Sequence, residues 1–523
     1  MEFVKLFGMK KDNKLTKNYE DSLLLLGNLL TSTQSELENT QHHVHSLEAE
    51  NRWLKEQIKQ SKQRHYGHQT ETTESLQLSL PIFDKNEGDE AQVKSGEENE
   101  TITYTRRKKQ KGRQLDTTQL PRERVYHDIA EEEKQCDCGC QKALMKEEIR
   151  EQIDYIPASL KVIEHVIPTY RCRRCDTLQS GKKPESAIPK CMATHRFISH
   201  IMLDKYQRHL PFYRQSKIFA SQQLLIPDNT LGNWAMGAAR VLAPLGDALW
   251  QQITNIHGLQ ADETKIRLLK PNQNGYVWAY HSLDPDNRFI RFEFRLGRDQ
   301  SCPNQRLTHF RGILQTDGYS GYNFQRERND IIHIGCWDHA RRKVVETIKI
   351  CDAGKEGAAG ELLLPINELY RIERQTKTMT DKARQTFREE NANPLLDQIY
   401  EKAQSIRAPP KSYLGQAVTY LLNQWPTLIE YIKHGNMPIS NILIENQMRP
   451  LKLGAKNWLF VGNEQSANRG MLSYSLIQTC LMNEINPGPY LIYVLDHAQA
   501  MRRGEVDPSS LLPQFIDRKL LQS

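Results

Sequence analysis

Two stretches with the same layout decide the fold, Gly258-Leu-Gln-Ala-Asp-Glu-Thr264 and Ile313-Leu-Gln-Thr-Asp-Gly-Tyr319. In each, a short and mainly apolar run leads to an aspartate, which is Asp262 in the first and Asp317 in the second. Short apolar runs bounded by glycine and polar residues are typical of buried strands. We therefore predict two strands, each followed by an acidic residue.

The surrounding residues 254–335 extend this pattern to five strands. Their apolar positions predict strands at Ile256–Ala261, Tyr276–Tyr280, Phe289–Arg295, Ile313–Thr316 and Ile331–Cys336. A short helix is predicted at Asn304–Phe310. Three strands, a helix and two more strands are the order of an RNase H-like sheet, which makes the fold class α/β. Helical spacing then runs from Asp338 to about residue 435 and returns in Asn441–Met448, a helix predicted to end before Pro450.

Three acidic residues are candidates for a metal site. Asp262 and Asp317 follow predicted neighbouring strands, and Glu445 lies at a predicted helix start in Ser-Asn-Ile-Leu-Ile-Glu-Asn. Carboxylates that converge in this way supply hard oxygen ligands, which suit magnesium or manganese. Two such ions would support phosphodiester displacement. Spacing alone leaves the alternative open that the aspartates are ordinary turn residues.

The cysteines suggest a second metal site. Five of the ten cysteines lie between positions 136 and 175, namely Cys136, Cys138, Cys140, Cys172 and Cys175. Cys172-Arg-Arg-Cys175 is a CxxC knuckle, and the first three cysteines supply an irregular partner. Four thiolates would hold a structural zinc ion tetrahedrally, with no open position for water. The clustering favours a metal site in a reducing compartment over a disulfide framework, and unliganded cysteines are the alternative.

The N-terminal region has a heptad pattern. Residues recur every seven positions at Leu23, Leu30, Leu37, Val44, Asn51 and Ile58, and the complementary positions hold Leu26, Leu47 and Leu54. This pattern favours a coiled coil that pairs two chains, and an asparagine in the seam favours a dimer. The alternative is an amphipathic helix packed on its own protein.

Charge and hydropathy restrict the possible partners. The net charge of +7 is a mild bias that is compatible with nucleic acid. Six basic residues fall within eight positions, Arg106, Arg107, Lys108, Lys109, Lys111 and Arg113. This run is either a DNA contact or part of a solvated linker. No run of eighteen apolar residues occurs, so we expect neither a transmembrane helix nor a membrane partner.

Further candidate DNA contacts lie elsewhere in the chain. Residues 218–225, a break at 227–229 and residues 230–242 resemble helix, turn and helix, a motif that reads DNA or simply packs. Arg341 and Arg342 could contact the DNA backbone or lie on a solvated helix face. Lys456 and Trp458 could grip a base at a DNA end, with Trp458 in the core as the alternative.

Several longer motifs follow one another along the chain. They are Leu-Pro-Arg-Glu-Arg-Val-Tyr-His-Asp at 120–128, Leu-Pro-Phe-Tyr-Arg-Gln at 210–215, Ala-Asp-Glu-Thr at 261–264, Thr-Asp-Gly-Tyr-Ser-Gly-Tyr-Asn at 316–323, Gly-Cys-Trp-Asp-His-Ala-Arg-Arg-Lys at 335–343, Lys-Asn-Trp-Leu-Phe-Val-Gly at 456–462 and Tyr-Ser-Leu-Ile at 474–477. Together they resemble the insertion-sequence-66 family of DDE transposases over nearly the whole chain.

The resemblance implies an α/β multidomain architecture with an RNase H-like catalytic core interrupted by a helical insertion. A coiled coil and a small zinc-binding segment precede that core. The predicted units are a coiled-coil helix at 1–67, a flexible linker with the basic run at 68–118, the zinc-binding segment at 119–185, a helical, helix-turn-helix-like DNA-binding region at 186–250, the first part of the core at 251–350, the helical insertion at 351–435, the second part of the core at 436–485 and a C-terminal tail at 486–523.

The resemblance also implies the activity. Asp262, Asp317 and Glu445 match the three catalytic acids and would hold Mg²⁺ or Mn²⁺ during cleavage of DNA and strand transfer. The expected partners are the terminal repeats of a bacterial insertion sequence, target DNA, further copies of the chain in a homodimer or larger assembly, and companion proteins of the same element. The expected location is the bacterial cytoplasm, associated with the nucleoid.

The third acidic motif departs from the pattern of that family. The family stretch resembles Asp-Asn-Asn, two variable residues, then Glu-Arg, whereas Ser440, Ile442 and Asn446 stand at three of those positions here. An acid, an amide and a cation beside Glu445 are therefore absent. This difference motivates an alternative, a catalytically impaired copy that acts as a DNA-binding protein.

Overall fold

The structure is a computed structural model that describes residues 186–350 and 357–521 without a break. Ahead of residue 186 it describes the stretches 30–34, 36–37, 40–41, 44, 122–128, 134, 140, 152–153, 158–171, 173, 178–182 and 184. The chain divides into two compact units, one of Met1–Thr72 with Ile163–Ser523 and one of Thr73–Val162. The architecture is mixed α/β, with helices before, between and after the strands.

The described residues near the N-terminus agree with a helix. All the described positions between residues 30 and 44 are helical. The side chains of Leu30, Leu37 and Val44, three members of the heptad row, are each more than half exposed. The rest of the row lies outside the described residues, so pairing through a coiled coil stays a prediction.

A small hairpin follows in the cysteine-rich part of the sequence. Strands β1 (Thr169–Arg171) and β2 (Leu178–Ser180) pair in antiparallel fashion, with Arg171 opposite Leu178. The Cys172-x-x-Cys175 knuckle separates these two strands in the sequence, although both of its cysteines lie outside the described residues. Within Thr73–Val162, the described stretches 122–128 and 158–162 contain neither helix nor strand.

Four helices precede the main sheet, as the spacing of residues 190–250 predicted. They are α1 (His195–Tyr206), α2 (Phe212–Ser221), α3 (Asp228–Val241) and α4 (Ala243–Gln252). The side chain of Thr194 caps α1 by accepting a hydrogen bond from the amide of Phe197. Pro227 immediately precedes α3, so a break between two helices is present, but α2 covers only residues 218–221 of the predicted helix 218–225, and α3 begins inside the predicted break at 227–229. Whether this pair reads DNA stays a prediction.

The main sheet has five strands. They are β3 (Gly258–Leu268), β4 (Gln273–Ser282), β5 (Ile290–Arg295), β6 (Gly312–Gln315) and β7 (Ile331–Ile334), and a short helix α5 (Ser301–Arg306) lies between β5 and β6. The strand order is β5-β4-β3-β6-β7. Strands β5, β4 and β3 are antiparallel neighbours, whereas β3, β6 and β7 are parallel. Gly312 enters β6 with φ of 133°, where any Cβ would collide with the His257 carbonyl.

The five predicted strands are present, but one boundary is wrong in a way that affects the site. Strand β3 continues to Leu268 instead of ending at Ala261, because β4 pairs with it along the whole length from Leu259 to Leu268. Exposed Lys265 and Arg267 alternate with buried Ile266 and Leu268 in this extension. Asp262 therefore lies inside a strand, not after its end.

A long helix closes one edge of the sheet. Helix α11 (Glu464–Met482) runs along β5, and three of its polar side chains accept hydrogen bonds from the outward-facing amides of that strand. The bonds join Phe294 to Asn468 at 3.0 Å, Phe292 to Ser475 at 2.9 Å and Ile290 to Thr479 at 3.2 Å. The edge strand is therefore satisfied by side chains instead of by another strand.

A second hydrophobic core lies beyond β7. Helices α6 (Trp337–Ile350), α7 (Ala358–Gln375), α8 (Asp381–Ser405) and α9 (Tyr413–Leu428) follow β7 in the sequence. Their buried side chains form one cluster with Ile313 of β6 and Ile334 of β7. Arg388, almost fully buried in α8, is held by a bidentate ion pair with Glu373 of α7.

Helix α10 (Ile442–Trp458) is longer than its sequence predicted, and Pro450 lies inside it. A proline removes one helical hydrogen bond and costs about 3 kcal/mol in a helix interior. The buried side chains of Ile444, Met448 and Leu451 pack on both sides of the proline and offset that cost. Helices α12 (Pro487–Asp496) and α13 (Ala498–Arg503) follow α11, and two short 3-10 helices, Pro508–Leu511 and Arg518–Leu521, come after them. No helix of the described residues has the length and apolar character to cross a membrane.

Candidate active site

Asp262 lies on β3, and Asp317 follows the end of the parallel strand β6 at the matching level. The register pairs Gln260 of β3 with Gln315 of β6, and each aspartate lies two residues further along its strand direction. An Oδ1 of Asp262 accepts a hydrogen bond from the amide of Glu263 at 2.8 Å. An Oδ1 of Asp317 accepts one from the amide of Tyr319 at 2.9 Å, which closes the turn after β6. The two carboxyl groups are therefore held at the same level of the sheet.

Glu445 reaches the same region from the first turn of α10. Its carboxylate is largely buried and has two basic neighbours on α6. His339 Nε2 lies 3.7 Å from Oε1 of Glu445, and an Nη of Arg342 lies 3.4 Å from Oε2. The cation of Arg342 partly balances the negative charge of Glu445 and restricts its orientation.

Burial and the neighbouring acids act together on the carboxyl group of Asp262. Burial raises the pKa of Asp262 well above its ordinary value, and the negative charges of Asp317, Glu263 and Glu445 raise it further. Like charges that share a site disfavour ionisation of one another. The three acids selected from the sequence therefore form one electrostatic group, to which Glu263 also belongs.

Glu263 lies beside Asp262 but has different partners. Its side chain is only 2% exposed and forms an ion pair with Arg298 at 2.6 Å. The hydroxyl of Tyr322 donates to the other carboxylate oxygen at 3.0 Å. Burial and the charge of Asp317 raise the pKa of Glu263, while Arg298 opposes that shift. Glu263 thus has its own counter-ion, unlike Asp262.

The donor set fits a hard divalent cation in its chemistry. Asp262, Asp317 and Glu445 supply carboxylate oxygens, and the mutual repulsion at Asp262 is what a bound cation relieves. Within the part of the chain that the structure describes, no three His, Cys, Asp or Glu side chains are arranged as a metal cluster. Mg²⁺ often keeps several of its waters and binds through few carboxylates, so a loose acidic group suits it better than a closed cage.

Cys336 and His339 form a Cys-x-x-His motif in the sequence, and Cys336 is hydrogen-bonded to Asn441. The buried thiol of Cys336 donates to Oδ1 of Asn441 at 3.0 Å and accepts from the Asn441 amide at 3.4 Å. Burial raises the pKa of Cys336 well above its ordinary value, which keeps the thiol protonated. Cys336 therefore packs against the start of α10, whereas His339 faces Glu445.

The predicted DNA contacts lie in different environments. Arg342 borders the acidic group, but Arg341 donates to Asn367 at 2.8 Å and lies over the ring of Tyr370. Lys456 is exposed near the end of α10. Trp458 belongs to the hydrophobic core, and Lys205 lies over its ring at 5.4 Å. The basic run of Arg106, Arg107, Lys108 and Lys109 is outside the described residues.

The cysteine site can be located only in part. Cys140 is exposed and forms no disulfide. The other four candidate ligands, Cys136, Cys138, Cys172 and Cys175, lie outside the described residues.

Two residues of the site were not predicted from the sequence. Gln260 and Gln315 are completely buried between the two strands that carry the aspartates. A signal was available, because the pattern Gln-x-Asp recurs at 260–262, within β3, and at 315–317, where β6 ends. A glutamine in an otherwise apolar strand signals a buried hydrogen-bonding role.

Comparisons with known proteins agree with this architecture. A family model for "Transposase IS66 family" matches residues 190–469. A "zinc-finger binding domain of transposase IS66" matches residues 133–176, and "Transposase C of IS166 homeodomain" matches residues 53–125. The first match includes Asp262, Asp317 and Glu445, and the second includes all five clustered cysteines.

Relatives in Sinorhizobium fredii are similar over most of their length. "Uncharacterized protein y4jD" is 30% identical over 397 residues, which cover 72% of this chain and 76% of that protein. "Uncharacterized protein y4qI" is 28% identical over 406 residues, which cover 74% of each chain. The transposase match spans more than half of the chain, and the zinc-finger match lies ahead of it. The chain therefore belongs to the IS66 family of transposases.

Proposed function

We propose that this transposase cleaves DNA at the ends of its insertion sequence and transfers the cut strand to target DNA, using Asp262, Asp317 and Glu445. The observation that carries the proposal is geometric: the parallel pairing of β3 with β6 brings the two aspartates to one level of the sheet, and a hydrogen bond from Ile444 to Gln260 of β3 holds the helix turn that bears Glu445. The raised pKa of Asp262 agrees with this arrangement. Three acids separated by 55 and 128 positions in the sequence have no packing reason to share one region of low solvent access. Because the negative charges of these three acids repel one another, a common functional role explains their proximity better than packing does.

These acids would hold one or two Mg²⁺ or Mn²⁺ ions. When bound, such ions activate an attacking oxygen and stabilise the leaving oxygen in a phosphodiester displacement. Asp262 and Asp317 are held in place by the parallel pairing of β3 and β6, and Arg342 orients Glu445. Water attacks the phosphorus at the element end and releases a 3′-hydroxyl, which then attacks a phosphodiester of the target and expels the 3′-oxygen of the cut target strand. No covalent protein intermediate is needed.

The core around these acids is proposed to be RNase H-like. Three antiparallel strands followed by two parallel strands, with the first acid on β3 and the second after β6, support this proposal. The helices α7 to α9 between β7 and α10 would then be an insertion into that core. The insertion separates Asp317 from Glu445 in sequence while α10 returns to β3.

DNA binding is proposed for the segments outside this core. The basic run at 106–113, the zinc segment and the α2–α3 pair would contact the element ends, and exposed Lys456 would contact a DNA strand near the site. Contacts with phosphates release counterions, so binding should weaken steeply as salt increases. The N-terminal heptads would pair two chains so that both ends are held in one complex, with or without companion proteins.

A second candidate is an impaired copy that binds DNA without cutting it. The observation behind it is the polar surroundings of Glu445. Asn446 follows Glu445 where the family pattern has a cation, and its buried side-chain oxygen has no hydrogen-bond partner in the described structure. An unpaired amide beside the catalytic acid is a weaker electrostatic support than an arginine.

Plasmid nicking by the full-length zinc-loaded protein in Mn²⁺ tests the proposal. We expect the wild type to nick and Asp262→Asn to lose roughly a hundredfold or more in rate, because one metal ligand supports several kcal/mol of transition-state stabilisation. Asp286→Asn, an exposed aspartate in the β4–β5 turn, is the matched control and should nick normally.

The outcomes separate the two candidates. Equal nicking by wild type and Asp262→Asn would remove the acidic group from the reaction. Intact DNA binding without nicking in any variant, on DNA that contains the element ends and with companion proteins added, would favour the impaired copy.

A further inference from the structure

Two buried glutamines lie directly beneath the acidic group. Gln260 in β3 and Gln315 in β6 are both 0% exposed, and each precedes an acid by two residues. Their side chains are joined, since Nε2 of Gln260 donates to Oε1 of Gln315 at 2.8 Å. This bond joins the two acid-bearing strands through side chains, in addition to their backbone pairing.

The same pair also holds the segment that leads into the third acid. Nε2 of Gln260 donates to the carbonyl of Ser440 at 3.1 Å, and Oε1 of Gln260 accepts from the amide of Ile444 at 3.0 Å. Nε2 of Gln315 donates to the carbonyl of Pro438 at 2.7 Å. Ile444 immediately precedes Glu445, so the hydrogen-bond network reaches within one residue of the third acid.

The bond to Ile444 replaces a helix cap. The first amides of a helix have no partner within the helix, and an N-cap side chain usually satisfies one of them. Asn441 is the N-cap residue of α10, but its side chain makes no capping bond and instead accepts from the thiol of Cys336. Gln260 supplies the missing acceptor from the sheet, which fixes the start of α10 relative to β3.

We infer that Gln260 and Gln315 are positioning residues that set the mutual placement of Asp262, Asp317 and Glu445. This inference rests on the proposed function, because it assigns the placement a role in metal binding. The hydrogen bonds of a buried amide pair are directional. They therefore fix one relative position of β3, β6 and α10, whereas apolar packing alone would permit several. Removal of hydrogen-bonding groups that hold metal ligands in place typically changes metal affinity by 10- to 100-fold.

The competing explanation is that the pair merely fills a polar hole in the core. In that case an apolar residue of similar volume at either position would change the stability of the protein but not the metal affinity of the acids. Gln252 offers a matched control, because it is also a buried glutamine with a side-chain partner, Asn287 at 3.1 Å, away from the acidic group. Variants Gln260→Met, Gln315→Met and Gln252→Met can therefore be compared at similar loss of thermal stability.

Two measurements on the full-length protein separate these explanations. The first is the affinity for Mn²⁺ alone, measured by electron paramagnetic resonance. The second is hydrogen exchange of residues 438–448 without metal. We expect Gln260→Met to weaken Mn²⁺ binding about tenfold or more and to lose protection selectively at 438–448. Gln315→Met should do the same more mildly, because it leaves the bond to Ile444 in place, and Gln252→Met should do neither.

The results decide the inference and the proposed function separately. Unchanged exchange at 438–448 in both Gln260→Met and Gln315→Met, or the same change in Gln252→Met, would overturn the positioning role. If the wild type itself bound no Mn²⁺, the proposed metal chemistry would fail. In that case the positioning of α10 would still be judged from exchange alone. If Gln260→Met did not fold, Gln315→Met would carry both measurements.

Discussion

At the scale of single residues, the most informative feature is the environment of Asp262. Its carboxyl group lies inside a strand, is partly buried and is surrounded by the charges of three other acids. Glu263 next to it has an arginine partner, and Glu445 has Arg342, whereas the charges that act most strongly on the pKa of Asp262 are those of other acids. The folded protein therefore disfavours ionisation of Asp262, and a cation bound beside the carboxylate would favour it.

This environment predicts a pH-dependent gain in stability for Asp262→Asn. The folded-state pKa of Asp262 lies above its ordinary value of 3.8, so the native state retains a proton that the unfolded chain has lost. Stability is therefore lost as pH rises from about 3.8 through the folded-state pKa. The variant should be more stable than wild type at pH 7 without metal, because it removes a carboxylate whose ionisation burial and the neighbouring acids oppose.

Thermal or urea unfolding in the presence of a chelator measures this difference. The gain should shrink towards zero near pH 4 and should reverse in saturating Mn²⁺, which stabilises only a protein that binds it. The exposed control Asp286→Asn should show no such trend. A variant that is no more stable than wild type at pH 7 would contradict the electrostatic description of the site.

At the scale of elements, helix α11 and strand β5 depend on each other. Ser475 is completely buried and is the acceptor for the amide of Phe292, and its hydroxyl also donates to the Met471 carbonyl. Strand β5 has β4 on one side only, so these side chains supply the partners that a sixth strand would give. The alternating sequence of β5 indicated a strand, but not which element would cover its edge.

Ser475→Ala should therefore destabilise the protein by about 1–3 kcal/mol, because it leaves the buried amide of Phe292 without an acceptor. Chemical denaturation would measure the loss. Ser405→Ala is the matched control, since the hydroxyl of Ser405 is exposed and donates to the Lys402 carbonyl of its own helix at 2.8 Å. Equal effects of the two substitutions would show that the cover over β5 contributes little.

At the scale of the whole molecule, the zinc segment and the cores of the described residues are separate in sequence. The two hydrophobic clusters begin at Ala187, after the last of the five clustered cysteines. Loss of zinc should therefore not abolish these cores. Binding of a structural zinc ion and folding of its segment are coupled, so the segment itself should lose its structure.

Cys172→Ser should lower the zinc content from one ion per chain to near zero, measured by a colorimetric chelator after denaturation. The main thermal unfolding transition should move little. Cys191→Ser, a cysteine outside the cluster that forms no disulfide, should keep its zinc. Full zinc content in Cys172→Ser would show that another ligand set binds the ion.

Much of this molecule could be predicted from local sequence patterns. Short apolar runs bounded by glycine and polar residues located the five strands, because a buried strand is apolar along most of its length. Motifs alone selected Asp262, Asp317 and Glu445, and the family comparison bears out the identity of the protein. The end of β3 and the length of α10 were wrong, because pairing with β4 and packing around Pro450 act between distant segments.

By itself, the sequence determined the family, the order of strands and helices along the chain and the acids to consider. Those properties depend on residue type and spacing, which are local. The tertiary structure decided that Gln260 and Gln315 join the acid-bearing elements, that α11 covers β5 and that Trp458 lies in the core. The hydrogen bonds among these contacts connect residues up to 189 positions apart, and their free energy depends on burial and geometry that no local pattern records.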